Sequence, residues 1–205
     1  MKIKRNEGII STGMRTYFGI NRKFASNAFK LMVDYDLDEV GDTLALMRSQ
    51  PTPKDFLDKF EYTCRQSPVL EDMLGHSLGW LILSERLADV VRQCSNFQDV
   101  ELHYLPEKVW PLHPSLEQYR VLSVKKEVKC VDEEKSDILW SSGSSGSRYI
   151  NSFRECILKE SCIPDDLDMF RIEEYPVMVV ISSRMAMKFA ELYPTGFVFE
   201  KITAV

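Results

Sequence analysis

Leu78-Gly79-Trp80-Leu81-Ile82-Leu83-Ser84-Glu85-Arg86-Leu87 is the stretch on which the architecture turns. An unbroken apolar run from Leu78 to Leu83 suits a strand covered on both faces. Ser84 then stands where a helix N-cap belongs, and Leu87, Ala88, Val91 and Cys94 recur at helical spacing. The same pattern returns later in the chain. Val177 to Ile181 is an apolar run, Ser182 a cap, and Met185, Ala186, Phe189 and Leu192 a helical stripe. Ser84, Arg86, Leu87, Ala88, Val91 and Cys94 line up with Ser182, Arg184, Met185, Ala186, Phe189 and Leu192 at one constant offset. Val100 to Leu105 and Phe197 to Ile202 follow as strands. The spacing therefore predicts two strand–helix–strand units of one design.

Between the units, Tyr119 to Val131 reads as a long β stretch with Leu122, Val124, Val128 and Cys130 on one face. Lys126 breaks that alternation, which predicts a bulge or a strand end. Towards the N-terminus the period changes. Ala25, Ala28, Phe29 and Met32 fall at i, i+3, i+4 and i+7, and a weaker helical pattern covers Val40 to Met47. Thr52 can cap a further helix with Pro53 in its first turn and Asp55 favouring its positive end; Phe56, Leu57, Phe60 and Cys64 form the stripe, and Ser67-Pro68 ends it. The fold class expected is α/β (α+β): a mixed β-sheet built from two strand–helix–strand units, with a mainly helical N-terminal third packed on it. One domain over 1–205 is expected, helical over 1–75 and sheet-bearing over 76–205. The Ser/Gly run at 141–147 offers nothing to pack and reads as a linker-like surface loop.

With 44% apolar and 28% charged residues among 205, a sizeable core is available. The net charge of −5 argues against a nucleic-acid partner, which favours a basic face, and permits a basic protein partner. No stretch approaches the roughly 18 apolar residues of a membrane span, and Met1 to Glu7 lacks the apolar run of a secretory signal. Five irregularly spaced cysteines (Cys64, Cys94, Cys130, Cys156, Cys162) suggest buried thiols in a reducing compartment, the cytoplasm.

Catalytic and metal patterns are weak. The Ser/Gly run lacks the Gly-Lys-Ser/Thr ending of a phosphate loop. Ser84 and Ser182 sit between strand and helix, but the bulky neighbours Leu83, Glu85, Ile181 and Ser183 do not suit a nucleophile elbow, and capping is the better role. His76, His103 and His113 are unpaired at helical spacing, and Cys156 and Cys162 lie too far apart for a close structural-zinc pair. Trp80, Trp110 and Trp140 offer a binding face, although Trp80 sits in a core-like strand. No cofactor, metal or catalytic residue is expected. Two acidic groups remain: Asp34, Asp36, Asp38, Glu39 and Asp42, and then Asp165, Asp166 and Asp168 with Glu173 and Glu174. Their spacing lacks the glycine and distal glutamate of a calcium loop. Either they simply meet water or they form a docking surface that speeds encounter with a basic partner. Asp34 to Asp42 is the partner-binding candidate.

The order of segments over 70–202 resembles immunity protein family 11 of bacterial polymorphic-toxin systems. Gly79 to Leu87, Val100-Glu101-Leu102, Asp132-Glu133-Glu134-Lys135-Ser136, Ile163-Pro164, Met169-Phe170-Arg171-Ile172, Val180-Ile181-Ser182 and Thr195-Gly196-Phe197-Val198-Phe199 carry the resemblance. It implies a non-enzymatic protein of the cytoplasm that binds and neutralises a cognate toxin effector domain, and it supplies no catalytic residues. A small-molecule enzyme with His103 or His113 beside a carboxylate in a deep pocket, and a general protein-interaction adaptor, are the alternatives.

Overall fold

Leu81-Ile82-Leu83 is a strand in the computed structural model, which describes residues 15–23, 25, 28–36, 45–47, 49–65, 69–142 and 148–205. This strand, β5 (Leu81–Ser84), sends Ile82 into one core and Leu81 and Leu83 into another, so the run is apolar without alternation. α1 (Glu85–Cys94) and β6 (Val100–Tyr104) follow. Later in the chain stand β13 (Tyr175–Ser182), α2 (Ser183–Glu191) and β14 (Gly196–Ala204). The remaining strands are β1 (Tyr17–Lys23), β2 (Lys30–Asp34), β3 (Glu61–Arg65), β4 (Met73–His76), β7 (Tyr119–Val124), β8 (Glu127–Val128), β9 (Asp137–Ser142), β10 (Arg148–Glu155), β11 (Ile157–Leu158) and β12 (Met169–Ile172). They form a six-stranded sheet in the order β3-β2-β4-β5-β7-β6, a second in the order β8-β12-β13-β1-β14-β11, and the two-stranded pair β9-β10.

The expected fold class is thereby corrected. The described chain is mostly β, with three sheets rather than one mixed sheet, and the N-terminal third is not mainly helical. The residues spaced as a helix around Ala28 to Met32 run into β2, which pairs with β3 from Lys30↔Arg65 to Asp34↔Glu61 and with β4 at Leu31↔His76. Four residues at helical spacing cannot tell a helix from a short buried strand, and two partner strands supply backbone bonds in place of those a helix would have made itself. The predicted helix after Thr52 is a single 3-10 turn, Phe56–Lys59, and β3 follows at once. That turn alone buries Phe56 and Leu57, and Tyr62-Thr63-Cys64 are better strand formers than helix formers. Ala45–Met47 is a 3-10 turn, whereas the rest of the Val40 pattern and the Ser67-Pro68 stop lie outside the described residues. So does most of the Ser/Gly run, at 143–147.

The two large sheets repeat one another over five strands, β2-β4-β5-β7-β6 matching β8-β12-β13-β1-β14. Met73 pairs with Leu83, and Met169 with Ile181. Leu31 lies beside His76 in a parallel pair, and Val128 beside Ile172 in another, each three residues after the corresponding methionine. Ser84 faces Tyr119 across β5 and β7, and Ser182 faces Tyr17 across β13 and β1. One repeat is thus β1, β2, β4, β5, α1 and β6; the other is β7, β8, β12, β13, α2 and β14. The leading strand of each sits in the other's sheet: β1 lies between β13 and β14, and β7 between β5 and β6. Leu87, Val90 and Val91 of α1 and Met185, Ala186 and Phe189 of α2 join side chains from both sheets in one shared core. Outside it, 3-10 turns cover the first sheet around Phe60, Trp80 and Val121, and Val131, Leu158 and Ile163 cover the second around Tyr17 and Phe170.

Candidate functional site

A symmetric scaffold puts its individuality into what is inserted. Between β2 and β4, residues 35–72 carry the acidic stretch, two 3-10 turns and β3. Between β8 and β12, at the same place in the other repeat, residues 129–168 carry β9, β10 and β11. Inserts at one position of a repeated scaffold commonly build its binding face.

The second insert is an arm. Asp132 to Ser136 forms its base turn, with the Ser136 amide donating to the Asp132 carbonyl over 2.9 Å. The Ser136 hydroxyl accepts from the Ile157 amide at 3.0 Å and donates to the Ile157 carbonyl at 3.2 Å, which clamps the two ends of the arm together. Phe153 meets Tyr175 edge-on at 5.4 Å and anchors the hairpin with Ile138 to the core beneath. An isolated hairpin is marginal in water, so this footing decides that the arm is ordered. Further out, the Arg148 guanidinium lies 3.9 Å over the Trp140 ring, and Leu139 and Tyr149 on the opposite face are exposed, Tyr149 by 52%. Tryptophan, tyrosine and arginine dominate the energetic centres of protein interfaces.

In the first insert, Asp34 ends β2 directly opposite Glu61, two carboxylates facing across strands, and both are exposed. Asp36 is exposed as well, while Asp38, Glu39 and Asp42 lie outside the described residues. The second acidic group does not act as one. Asp165 is exposed and pairs with Arg15 at 3.0 Å, whereas Asp168 is buried beneath Ser182 and Arg184.

His103 lines a groove of about 580 Å³ together with Pro53, Lys54, Asp58, Glu107 and Trp110. Glu101 Oε2 lies 3.2 Å from its Nε2, but that oxygen also takes the Thr52 amide at 3.2 Å and the Lys125 ammonium at 3.4 Å. Burial lowers the affinity of His103 for a proton in spite of Glu101, so the imidazole is neutral near pH 7. The arrangement can hold a proton or a polar ligand group. The other histidines serve turns: His76 Nδ1 accepts from the Leu78 amide and its ring stacks on Trp80, and His113 Nδ1 accepts from the Ser115 amide. Trp80 and Trp110 belong to the core over the first sheet and Trp140 to the arm, so the three tryptophans form no common face. The five cysteines are unpaired, and among the described residues no cluster of metal-ligating side chains forms. No helix of the described chain is long and apolar enough to cross a membrane.

Sequence reasoning found Ser84, Ser182, Arg86 and Arg184 but missed Asp72 and read Asp168 only as part of an acidic group, not as a carboxylate these side chains serve. Asp72 takes the Ser84 hydroxyl at 3.0 Å, Nε and Nη2 of Arg86 at 2.6 and 2.5 Å, and the Thr195 amide at 3.0 Å. Asp168 takes the Ser182 hydroxyl and the Arg184 guanidinium. Burial alone would raise the Asp72 carboxyl, but Arg86, Thr195 and Ser84 outweigh it and hold it below the usual carboxylate range. These paired sites are structural, each fixing the start of a helix to the strand before it. Gly196, beside Thr195, has φ +91°, and a Cβ there would collide with the Met73 carbonyl.

Compared with known proteins, residues 16–204 match the model of an immunity protein family (Imm11). A comparison with curated proteins found no match.

Proposed function

We propose, because this chain belongs to the Imm11 immunity protein family, that it neutralises a cognate toxin effector domain by binding it in the cytoplasm. The observation that carries the reading is this family match over 16–204, nearly the whole described fold. Two divergent inserts on a repeated scaffold support it, since they supply surface without entering the core shared by the two large sheets. The acidic stretch Asp34, Asp36, Asp38, Glu39 and Asp42 is the surface for a basic toxin, where charge speeds encounter and selects the partner.

Co-expression with the toxin encoded beside the gene restores growth and yields a stable complex; neither rescue nor complex would end the proposal. Replacing Asp36, Asp38 and Asp42 by lysine slows association at least about tenfold at low salt, with the effect shrinking as salt rises. Unchanged stopped-flow rates would move the acidic contact elsewhere. The His103–Glu101 pair in its groove favours a second reading, an enzyme acting on a small molecule. Neutralisation of the purified toxin at one-to-one stoichiometry, with no substrate turned over, separates the binder from that alternative.

A further inference from the structure

We propose that the outer edge of β6 is where this protein receives its partner, as an added β-strand with alternating apolar and basic side chains. The inference rests on the partner-binding reading above and names the surface and the chemistry.

Edges of sheets are normally guarded by shortness, bulges, proline, lysine or a covering segment. The second large sheet follows that rule, because its outermost strands, β8 and β11, have two residues each. The β3 edge of the first sheet carries Lys108, whose ammonium lies 3.7 Å from Glu61 and over the Tyr62 ring. β6 is longer and less guarded, although its Glu101 carboxylate holds the Thr52 amide and the Lys125 ammonium. Its register with β7 runs unbroken from Val100↔Val124 to Tyr104↔Arg120, and its sequence holds neither proline nor lysine. Among the described residues no strand lies on its other side. In the other repeat the inserted β11 pairs with the equivalent strand's far end, at Thr203 and Ala204, so this architecture already adds a strand at that edge.

Two grooves open along β6, one for each face. Val100 and Leu102 line the first, about 390 Å³, with Arg92, Ser95, Asn96 and Phe97. His103 and Leu105, with Leu102 and Tyr104 at its rim along the strand, line the second, the groove of about 580 Å³. Side chains of an added strand alternate between faces, so successive residues would enter the two grooves in turn. The first groove offers the apolar side chains of Val100, Leu102 and Phe97, the last 84% exposed, beside the polar Ser95 and Asn96 and the Arg92 guanidinium, which Glu85 and Asp89 pair. The second carries the exposed carboxylates of Asp58 and Glu107 against the single ammonium of Lys54. An extended segment with apolar residues on one side and lysine or arginine on the other fits both. The net charge of −5 would steer such a segment inward.

The test is amide hydrogen exchange on the full chain, alone and with the toxin domain encoded beside the gene. Protection of residues 100–104 rises at least about tenfold in the complex, and Phe97→Ala and Glu107→Lys each weaken binding about tenfold while unfolding as wild type does. A complex that neutralises the toxin without protecting 100–104, and that tolerates both substitutions, overturns the edge site and leaves the binding reading standing. No complex at all removes the binding reading, and the edge site with it. Protection that is present in the chain alone and grows with its concentration would place a second copy on β6 and also overturn the proposal.

Discussion

Asp72 shows how one residue ties distant segments. It precedes β4, yet its carboxylate gathers the start of α1 through Ser84 and Arg86 and the approach to β14 through the Thr195 amide and hydroxyl. Its carboxyl titrates lower in the folded chain than in the unfolded one. The folded state therefore gains stability above the unfolded carboxylate range, near about pH 4, and loses that gain as pH falls through the lowered value. Asp72→Asn should cost about 2 kcal/mol at pH 7, less than a fully buried pair because Arg86 is half exposed. It should also flatten the acid limb of the stability curve. Urea titrations from pH 7 down to pH 3 check this, and an equal acid loss in both proteins would refute it. This network was half legible in the sequence. The serines and arginines share one offset of 98, but the aspartates lie 12 and 14 residues before their serines because the β12–β13 hairpin has two more residues. A pattern search at constant offset passes over them.

At the scale of elements, α1 and α2 were readable because each buries an amphipathic stripe through its own internal spacing. Their caps differ in chemistry despite matching in sequence. Ser182 accepts from the Met185 amide and donates to Asp168, whereas Ser84 occupies the N-cap position without accepting from its helix and only donates to Asp72. Ser182→Ala should therefore cost about 1–2 kcal/mol and Ser84→Ala about 0.5–1 kcal/mol. Chemical denaturation of the two variants reads the difference, and a larger loss at Ser84 would contradict the assignment. The strands of the first third were not legible, for a physical reason. β2 takes its backbone partners from β3 and β4, some 30 to 45 residues away, and no local period encodes such a partner. The arm was hidden likewise: Asp137 to Ser142 looks like the approach to a linker until β10 pairs with it.

For the whole molecule, the exchange of leading strands matters most. The sequence announced two similar units but not that each gives its first strand to the other, because β1 and β7 enter through pairing alone. Neither repeat can then complete its sheet by itself. Fragments 1–113 and 114–205 should each lack a cooperative transition, since β1 lacks β13 and β14 in one and β7 lacks β5 and β6 in the other. Mixed, they should recover a single transition by circular dichroism and calorimetry. A sharp melt from either fragment alone would show that the exchange is dispensable. Of the candidate binding residues, Asp34 and Asp36 were legible as exposed charge, because a charged run needs only solvent. The edge of β6 was not, since an open edge is defined by what fails to pair with it.

The exchange also sets a clock on synthesis. β1 leaves the ribosome early but must wait for β13 and β14, with more than 150 residues emerging in between, before it has neighbours. A nascent chain halted before β13 thus displays an unpartnered β1 and an open second sheet, material for chaperones and proteases. The second sheet would close abruptly, once β14 has emerged, and never in proportion to the length already made.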